Sequence, residues 1–242
     1  MCGRFTLTRR DFRELAALLG ADVWQEHAPL YRPRYNIAPT DQHWMLRQKR
    51  EERQLLPAKW GLVNSWAENA KGAFKQINAR SESAARLPAF RDAFARRRCL
   101  VPADGFFEWR GAKDARQPFW FHPPDDGLLL FAGLYESWRN PQDGEWQRTF
   151  TILTTDANET VSPVHDRMPA ILPAAQVDEW LFTPPEGAPP ADAGKLRALL
   201  RPAPSGALVA TEVSPRVNSV KNDDPSVLDP PSEAPAEQAR LM

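Results

Sequence analysis

Near the start of the chain, apolar residues recur every three or four positions in the segment TRRDFRELAALLG. The residues that share this spacing are Phe12, Leu15, Ala16 and Leu19. This is the period of one face of an α-helix. We therefore predict one short amphipathic helix here, with Thr8 as its N-cap and Gly20 as its stop.

The middle of the chain shows a different pattern, in which short apolar or alternating runs are separated by polar, Gly or Pro turns. Runs of this kind predict strands. They are HWMLRQ, RQLLPAKWGLV, QPFWF, LLLFAGLYE, RTFTILT and ALVATEV. The segment HAPLYRPRYNIAPTDQ contains three prolines, each of which lacks an amide donor and restrains its predecessor, so we predict irregular chain there.

Helical spacing returns in the segments SESAARLPAFRDAFARRR, AAQVDEWLF and AGKLRALL. Helices and strands do not alternate regularly, as they would in a doubly wound fold. The predicted fold class is therefore α+β: a single domain with a curved, barrel-like mixed β-sheet core and peripheral helices. We assign residues 2–222 to this domain. Residues 223–242 contain four prolines and little apolar material, which predicts a disordered C-terminal tail.

Composition agrees with this picture, because 42% apolar content in 242 residues is enough for one substantial core. No stretch approaches 18 consecutive apolar residues, and the start RFTLTRRDF lacks the apolar centre of a signal peptide. We therefore expect no membrane segment, and a location in the cytoplasm or at the nucleoid.

The charges and the cysteines narrow the choice of partners. Residues 1–120 carry 22 Lys and Arg against 13 Asp and Glu, a net charge of +9, whereas residues 121–242 carry 9 against 18, a net charge of −9. Both a polyanion-binding face and an internal arrangement of complementary charges explain this asymmetry. Cys2 and Cys99 have no spacing typical of a zinc site or disulfide, so we predict no metal, and Cys99 is expected in a buried strand.

Candidate reactive residues lie in four separated motifs. They are Cys2 in MCGRF, Asn78 in INARSE, Glu108 in DGFFEW and His165 in HDRMP. If Met1 is removed, Cys2 carries a free amine beside its thiol; otherwise it is an ordinary thiol near a terminus. A carboxylate buried among aromatic rings would have a raised pKa and could transfer protons near neutral pH, whereas a Glu on the outer face of a strand would not. For His165, a loop position beside charged residues fits a functional and a structural role equally.

Seven motifs in order resemble the SRAP family, the SOS-response-associated peptidases or abasic-site processing proteins. They are MCGRF, YNIAP, WGLVNSW, INAR followed by Glu, DGFFEW, HDRMP and VSPRVNSVKN. The resemblance extends over residues 2–222.

The resemblance implies a protein that recognises abasic sites in single-stranded DNA, forms a covalent thiazolidine cross-link through Cys2 after Met1 removal, and so protects the lesion. It assigns Glu108 as general acid/base, His165 as a proton-transfer group on the opened sugar, and Asn78 as hydrogen-bond partner of the reacting centre. We expect a monomer without cofactor. The family name implies autoproteolysis, here limited to removal of Met1, and the imine intermediate also permits lyase activity. Nearby cations are expected to lower the pKa of the thiol.

The resemblance also implies contacts with the DNA backbone and bases. Arg4 and Arg80 would hold flanking phosphates, since guanidinium matches phosphate oxygens. Pro39 and Trp66 resemble a wedge and a stacking position, with core packing as the other interpretation of each. The chain departs from some relatives at Met168, which replaces an arginine, and in the acidic DDP that follows Lys221 and Asn222.

Two other classes of function fit parts of the sequence. Class II glutamine amidotransferases also begin Met-Cys-Gly and use a freed Cys2 as nucleophile, which indicates an N-terminal-nucleophile amidohydrolase. Nine tryptophans and a basic first half are typical of a non-covalent binder of single-stranded nucleic acid. Ammonia release from glutamine would indicate the amidohydrolase. The absence of a covalent adduct with abasic DNA would indicate the non-covalent binder.

Overall fold

The computed structural model describes residues 2–24, 26–112, 116–185 and 187–231. The strands are β1 (Arg4–Leu7), β2 (Arg34–Ile37), β3 (Gln42–Lys49), β4 (Glu52–Trp60), β5 (Asn78–Arg80), β6 (Arg98–Ala103), β7 (Gly105–Arg110), β8 (Gln117–His122), β9 (Leu129–Arg139), β10 (Trp146–Asp156), β11 (Arg167–Pro169) and β12 (Val209–Glu212). The α-helices are α1 (Phe12–Leu18), α2 (Ser81–Ala84), α3 (Arg91–Arg96), α4 (Val177–Leu181) and α5 (Ala193–Leu199).

Five strands close into a barrel. The ring runs from β10 through β4, β3, β6 and β9 and returns to β10. The β10–β4 pair is parallel and the other four pairs are antiparallel, so the sheet is mixed. Closure removes the unpaired edges that an open sheet would expose. The predicted α+β class with a barrel-like mixed core is confirmed.

A second sheet of five strands, in the order β12-β8-β7-β1-β2, packs on the barrel. Phe5 of β1 points into the core, where its ring makes edge contacts with Trp60 and Phe131 of the barrel. The first residues of the chain are therefore fixed by core packing. Trp60 is completely buried.

The predicted helical segments form helices, but the predicted cap of the first helix is wrong. Asp11, not Thr8, caps α1, because its side chain accepts hydrogen bonds from two backbone N–H groups of the first turn. Thr8 instead donates through both its N–H and its hydroxyl group to the Asp104 carboxylate. Gly20 follows the helix with φ +59°, a conformation that favours glycine.

The strand predictions are confirmed, but one segment predicted as irregular is in part a strand. Residues 34–37, inside HAPLYRPRYNIAPTDQ, form β2 and pair with β1. The prolines on either side, Pro33 and Pro39, lie outside this strand, so no ladder hydrogen bond is lost to them. Among the described residues, none of the helices has both the length and the apolar content needed to cross a membrane.

The predicted start of the disordered tail, at residue 223, lies too early in the chain. We call residues 214–229 the C-terminal strap; it contains the 3₁₀ helices Pro215–Asn218 and Pro225–Leu228. Val217 and Val227 of the strap are buried against Phe107. Residues 223–231 therefore belong to the folded domain, and the rest of the predicted tail, 232–242, lies outside the described residues.

Candidate active site

Cys2 lies two residues before the start of β1 and is completely buried. Its carbonyl oxygen accepts a hydrogen bond of 2.7 Å from Asn78 Nδ2, and its Sγ lies 3.7 Å from the Arg4 carbonyl oxygen. Burial, followed by the nearby Glu108 carboxylate, raises the pKa of the Cys2 thiol. The expectation that nearby cations lower this pKa is wrong, because loss of solvation outweighs them. The resting side chain is therefore a thiol, not a thiolate.

Glu108 lies on β7, the neighbour of β1. Arg4 pairs with Phe107, which places Glu108 next to the first residues of the chain. Its exposed fraction is 3%, and burial raises its pKa to about 7, while the charged amino terminus acts in the opposite direction. The outward-facing alternative is thus excluded. Near neutral pH, both the protonated and the ionised form of Glu108 are populated. A group that both donates and accepts protons requires this.

Asn78 is the first residue of β5, which runs parallel to β10. While its Nδ2 donates to Cys2, its Oδ1 is buried and accepts no hydrogen bond from the described residues. A buried acceptor without a donor is costly. This oxygen is therefore suited to accept a hydrogen bond from an amine or a hydroxyl group that enters the site.

His165 comes from the loop before β11. Strand β10 carries β5 and β11 as neighbours, so Thr154 pairs with both Arg80 and Pro169. This arrangement brings the INAR and HDRMP motifs together. Burial and the charged amino terminus lower the pKa of His165, so its imidazole is neutral near pH 7. The charge of the adjacent Asp166 raises the pKa of Glu108, which places this loop near β7 as well.

The buried guanidinium of Arg167 links the two motifs directly. Glu82 of α2 accepts hydrogen bonds of 2.6 and 3.0 Å from Arg167, and Asp156 accepts a third of 2.6 Å. A forked pair of this kind fixes orientation as well as distance. In the sequence, Glu82 is the Glu that follows INAR and Arg167 is the Arg of HDRMP. Their separation of 85 positions explains why no local pattern reveals the pair.

The fold and the four residues now allow comparison with known proteins. A family model described as SOS response associated peptidase (SRAP) matches residues 1–220. The chain belongs to the SRAP family. It is 36% identical over 230 residues to the abasic site processing protein YoqW of Bacillus subtilis, covering 95% of this chain and 99% of that protein. It is 30% identical to the abasic site processing protein YedK of Escherichia coli, covering 95% of this chain and all of that protein.

One further relative and one solved structure extend the comparison. The abasic site processing protein HMCES of Gallus gallus is 35% identical and covers 83% of this SRAP chain and 67% of its own length. A crystal structure of a protein from Bacteroides thetaiotaomicron superposes with a TM-score of 0.81 at 25% identity, covering 95% of this chain and 99% of that one. The barrel and its second sheet are therefore shared with solved structures of similar proteins.

The predicted DNA contacts of the SRAP chain lie outside the group formed by Cys2 and its neighbours. Trp66 has an exposed fraction of 69%, which excludes core packing for it. Arg80 is exposed, and its guanidinium makes no ion pair with the described residues. Pro39 is half-buried in a tight turn, where the next residue, Thr40, has a φ of 74°. A threonine in that conformation is strained.

Arg4 has a different environment from the one predicted. Its guanidinium donates to Asn36 Oδ1 at 2.9 Å and to the Val217 carbonyl at 2.8 Å, and it lies over the Trp109 ring. Asn36 in turn donates to three carbonyl groups of the strap. Arg4 therefore ties the strand that follows Cys2 to the C-terminal strap.

Asp223, the first acidic residue after Asn222, stabilises the fold. Asp223 accepts hydrogen bonds from the backbone N–H groups of Tyr35 and Asn36, at 2.7 and 3.0 Å, and pairs with Arg34. These bonds hold the strap against β2, so this departure from the SRAP pattern serves the fold. The described residues contain no group of His, Cys, Asp and Glu able to hold a metal ion.

Proposed function

We propose that this SRAP protein processes abasic sites in single-stranded DNA by covalent capture through Cys2. The observation that carries the proposal is the juxtaposition of a buried Cys2, held by Asn78, with a Glu108 whose pKa is about 7. The names of the relatives, abasic site processing proteins, support the choice of substrate. The chemistry requires that Met1 be removed, so that the amine belongs to Cys2.

The proposed reaction starts from the ring-opened abasic sugar, which carries an aldehyde. The amine of Cys2 attacks this carbon, and loss of water gives an imine. The thiol then adds to the imine carbon, its proton passes to nitrogen, and a thiazolidine results. One aldehyde and one aminothiol thus give one ring and one water. Because the thiol pKa is raised and an amine has an ordinary pKa of about 7.7–8.0, the amine attacks first.

Glu108 and His165 would move the protons in these steps. Protonated Glu108 donates to the departing water, and its carboxylate then accepts the proton of the thiol. This exchange suits a group with a pKa of about 7. His165, neutral because its pKa is lowered, would serve the hydroxyl group of the opened sugar. The unsatisfied Asn78 Oδ1 would hold the attacking amine.

Flanking DNA would lie on the exposed residues around this group. We assign Arg80 to a phosphate and Trp66 to a base, since an exposed indole stacks on any base, and Pro39 to the turn that separates neighbouring bases. Arg4 is already hydrogen-bonded to Asn36 and Val217, so a contact with phosphate would be made in addition to these two bonds. We therefore expect substitution of Arg4 to loosen the strap as well as to weaken binding. We further propose that the protein acts as a monomer, which sedimentation of the free protein and its adduct would establish.

The test is denaturing electrophoresis after incubation with a single-stranded oligonucleotide that carries one abasic site. Wild type and Cys99→Ala should form a shifted band, whereas Cys2→Ala should not; Cys99 is equally buried and serves as the matched thiol control. The Cys2→Ala protein retains an amine, so it should instead show more strand cleavage through β-elimination.

Other outcomes would identify another function. The absence of a shifted band with wild type lacking Met1 would refute covalent capture. If the oligonucleotide still bound without an adduct, a non-covalent nucleic-acid binder would be indicated. Release of ammonia from glutamine, lost in Cys2→Ala, would indicate an amidohydrolase.

A further inference from the structure

We propose that Glu82 and Arg167 form a positioning clamp that keeps the single proton of neutral His165 on Nε2. This inference rests on the proposed function for its catalytic meaning, but its structural claim can be tested separately. It assigns to Glu82 a role beyond the DNA contacts and the proton transfers described above.

The side chain of Arg167 is held from several directions. Glu82 binds Nη1 and Nη2 through its two carboxylate oxygens, and Asp156 binds Nη1. The Thr154 carbonyl accepts a further hydrogen bond of 2.7 Å from Nη2. Glu82 lies on α2, whereas Asp156 and Thr154 both lie on β10. With four hydrogen bonds from two elements, the guanidinium of Arg167 is fixed, and its backbone pairs with Asp156 of β10.

The backbone of Arg167 determines which nitrogen of His165 carries the proton. Its N–H donates to His165 Nδ1 at 2.9 Å. Only a ring nitrogen without a proton can accept this bond. The neutral ring therefore carries its proton on Nε2.

Asp166 competes for the same atom. Its Oδ1 lies 2.9 Å from His165 Nδ1, a contact that is favourable only when Nδ1 is protonated, because a carboxylate only accepts hydrogen bonds. The two partners of Nδ1 thus demand opposite positions of the proton. The Asp166 side chain is 84% exposed, so water weakens its attraction. The outcome depends on how firmly Arg167 holds its N–H in place.

The charges that face His165 are those of the amino terminus, Asp166 and Arg167. Burial and the amino terminus favour the neutral ring, and Asp166 opposes them. A neutral imidazole carries one N–H proton, either on Nε2 or on Nδ1. On Nε2 it can be donated to an oxygen of the opened sugar and returned; on Nδ1 it faces Asp166 and the loop backbone instead.

The test measures the tautomer and the reaction in the same full-length protein. Long-range ¹H–¹⁵N NMR shows which nitrogen of each imidazole is protonated, and His165→Gln identifies the His165 signals. Wild type should show the Nε2–H form at pH 7. Glu82→Ala should move the population toward Nδ1–H and slow the cross-linking rate by about 10- to 100-fold, since misplacing a catalytic group by 1 Å costs about 100-fold.

A second substitution separates positioning from general damage. Adding Asp166→Ala to Glu82→Ala removes the competitor, so the Nε2–H form and most of the rate should return. Glu136→Ala is the matched control, because it breaks the Arg97–Glu136 pair of 2.6 Å, in which Glu136 is buried and lies on β9. It should change neither tautomer nor rate. If Glu82→Ala does not fold, Glu82→Gln should show the same shift to a smaller degree.

The outcomes are distinguishable. An unchanged tautomer in Glu82→Ala, or failure of Asp166→Ala to restore it, overturns the clamp. A rate that falls equally in Glu136→Ala indicates a structural effect and also overturns it. If wild type forms no cross-link at all, the proposed function fails, while the NMR result still decides the clamp.

Discussion

Replacing Glu108 with Gln should make the protein more stable at pH 8 although it impairs the proposed reaction. Burial raises the pKa of Glu108 from an ordinary 4.5 to about 7. Between these two values the folded protein holds a proton that the unfolded chain has released. Stability therefore falls as pH rises from about 4.5 to about 7 and is constant above that range. Gln has nearly the same shape and no charge, so its contribution does not depend on pH.

The size of the effect follows from the pKa shift. Each pH unit corresponds to about 1.4 kcal/mol, so a shift from 4.5 to about 7 corresponds to roughly 3 kcal/mol of lost stability at pH 8. Urea unfolding of wild type and Glu108→Gln at pH 5, 6, 7 and 8 measures it. The difference in free energy of unfolding should grow in favour of the variant as pH rises. Titrating groups that do not interact with Glu108 are present in both proteins and cancel.

The same pair of proteins tests the role of Glu108 in the reaction. Glu108→Gln should slow cross-linking in both directions, since one group serves forward and reverse proton transfer. If the stability difference is independent of pH, Glu108 is already ionised at pH 5 and the argument from burial is refuted. An unchanged cross-linking rate would remove Glu108 from the mechanism.

Further predictions concern the fold around the site. Gly105→Ala would place a Cβ 2.0 Å from an indole nitrogen, so it should lower the free energy of unfolding by about 2 kcal/mol or more, whereas Gly206→Ala, with no atom within 4 Å, should not. Asn36→Ala removes three hydrogen bonds to the strap, so hydrogen exchange should rise there; unchanged protection would contradict the role of Asn36. Cys2 and Cys99, both buried with raised pKa, should resist iodoacetamide at pH 7 until urea unfolds the protein, and rapid native labelling of Cys2 would show its burial to be wrong.

Sequence periodicity predicts the long elements well and the short ones poorly. Strands such as β3 and β4 have enough residues to show a pattern, while β5 and β11 have three residues each. Both short strands exist because β10 offers them a neighbour, which is information from tertiary structure. In the site, too, some features follow from local sequence and others only from tertiary structure. Residue type and motif order identify Glu108 and Asn78, but the raised thiol pKa and the Glu82–Arg167 pair depend on burial and on contacts between distant segments.

The contacts between β1, β7 and the C-terminal strap also bear on how the protein is made. Strand β1 is synthesised before its partner β7, which begins about 100 positions later, and Arg4 bonds Val217 across 213 positions. At roughly 10 residues per second, these partners follow by about 10 and 20 s. The proposed function requires that an aminopeptidase act on Met1, and this interval is one in which the segment around Cys2 is not yet buried by its partners. Under the proposed function, removal of Met1 would therefore precede the enclosure of Cys2, in an order set by the time at which the chain completes its own site.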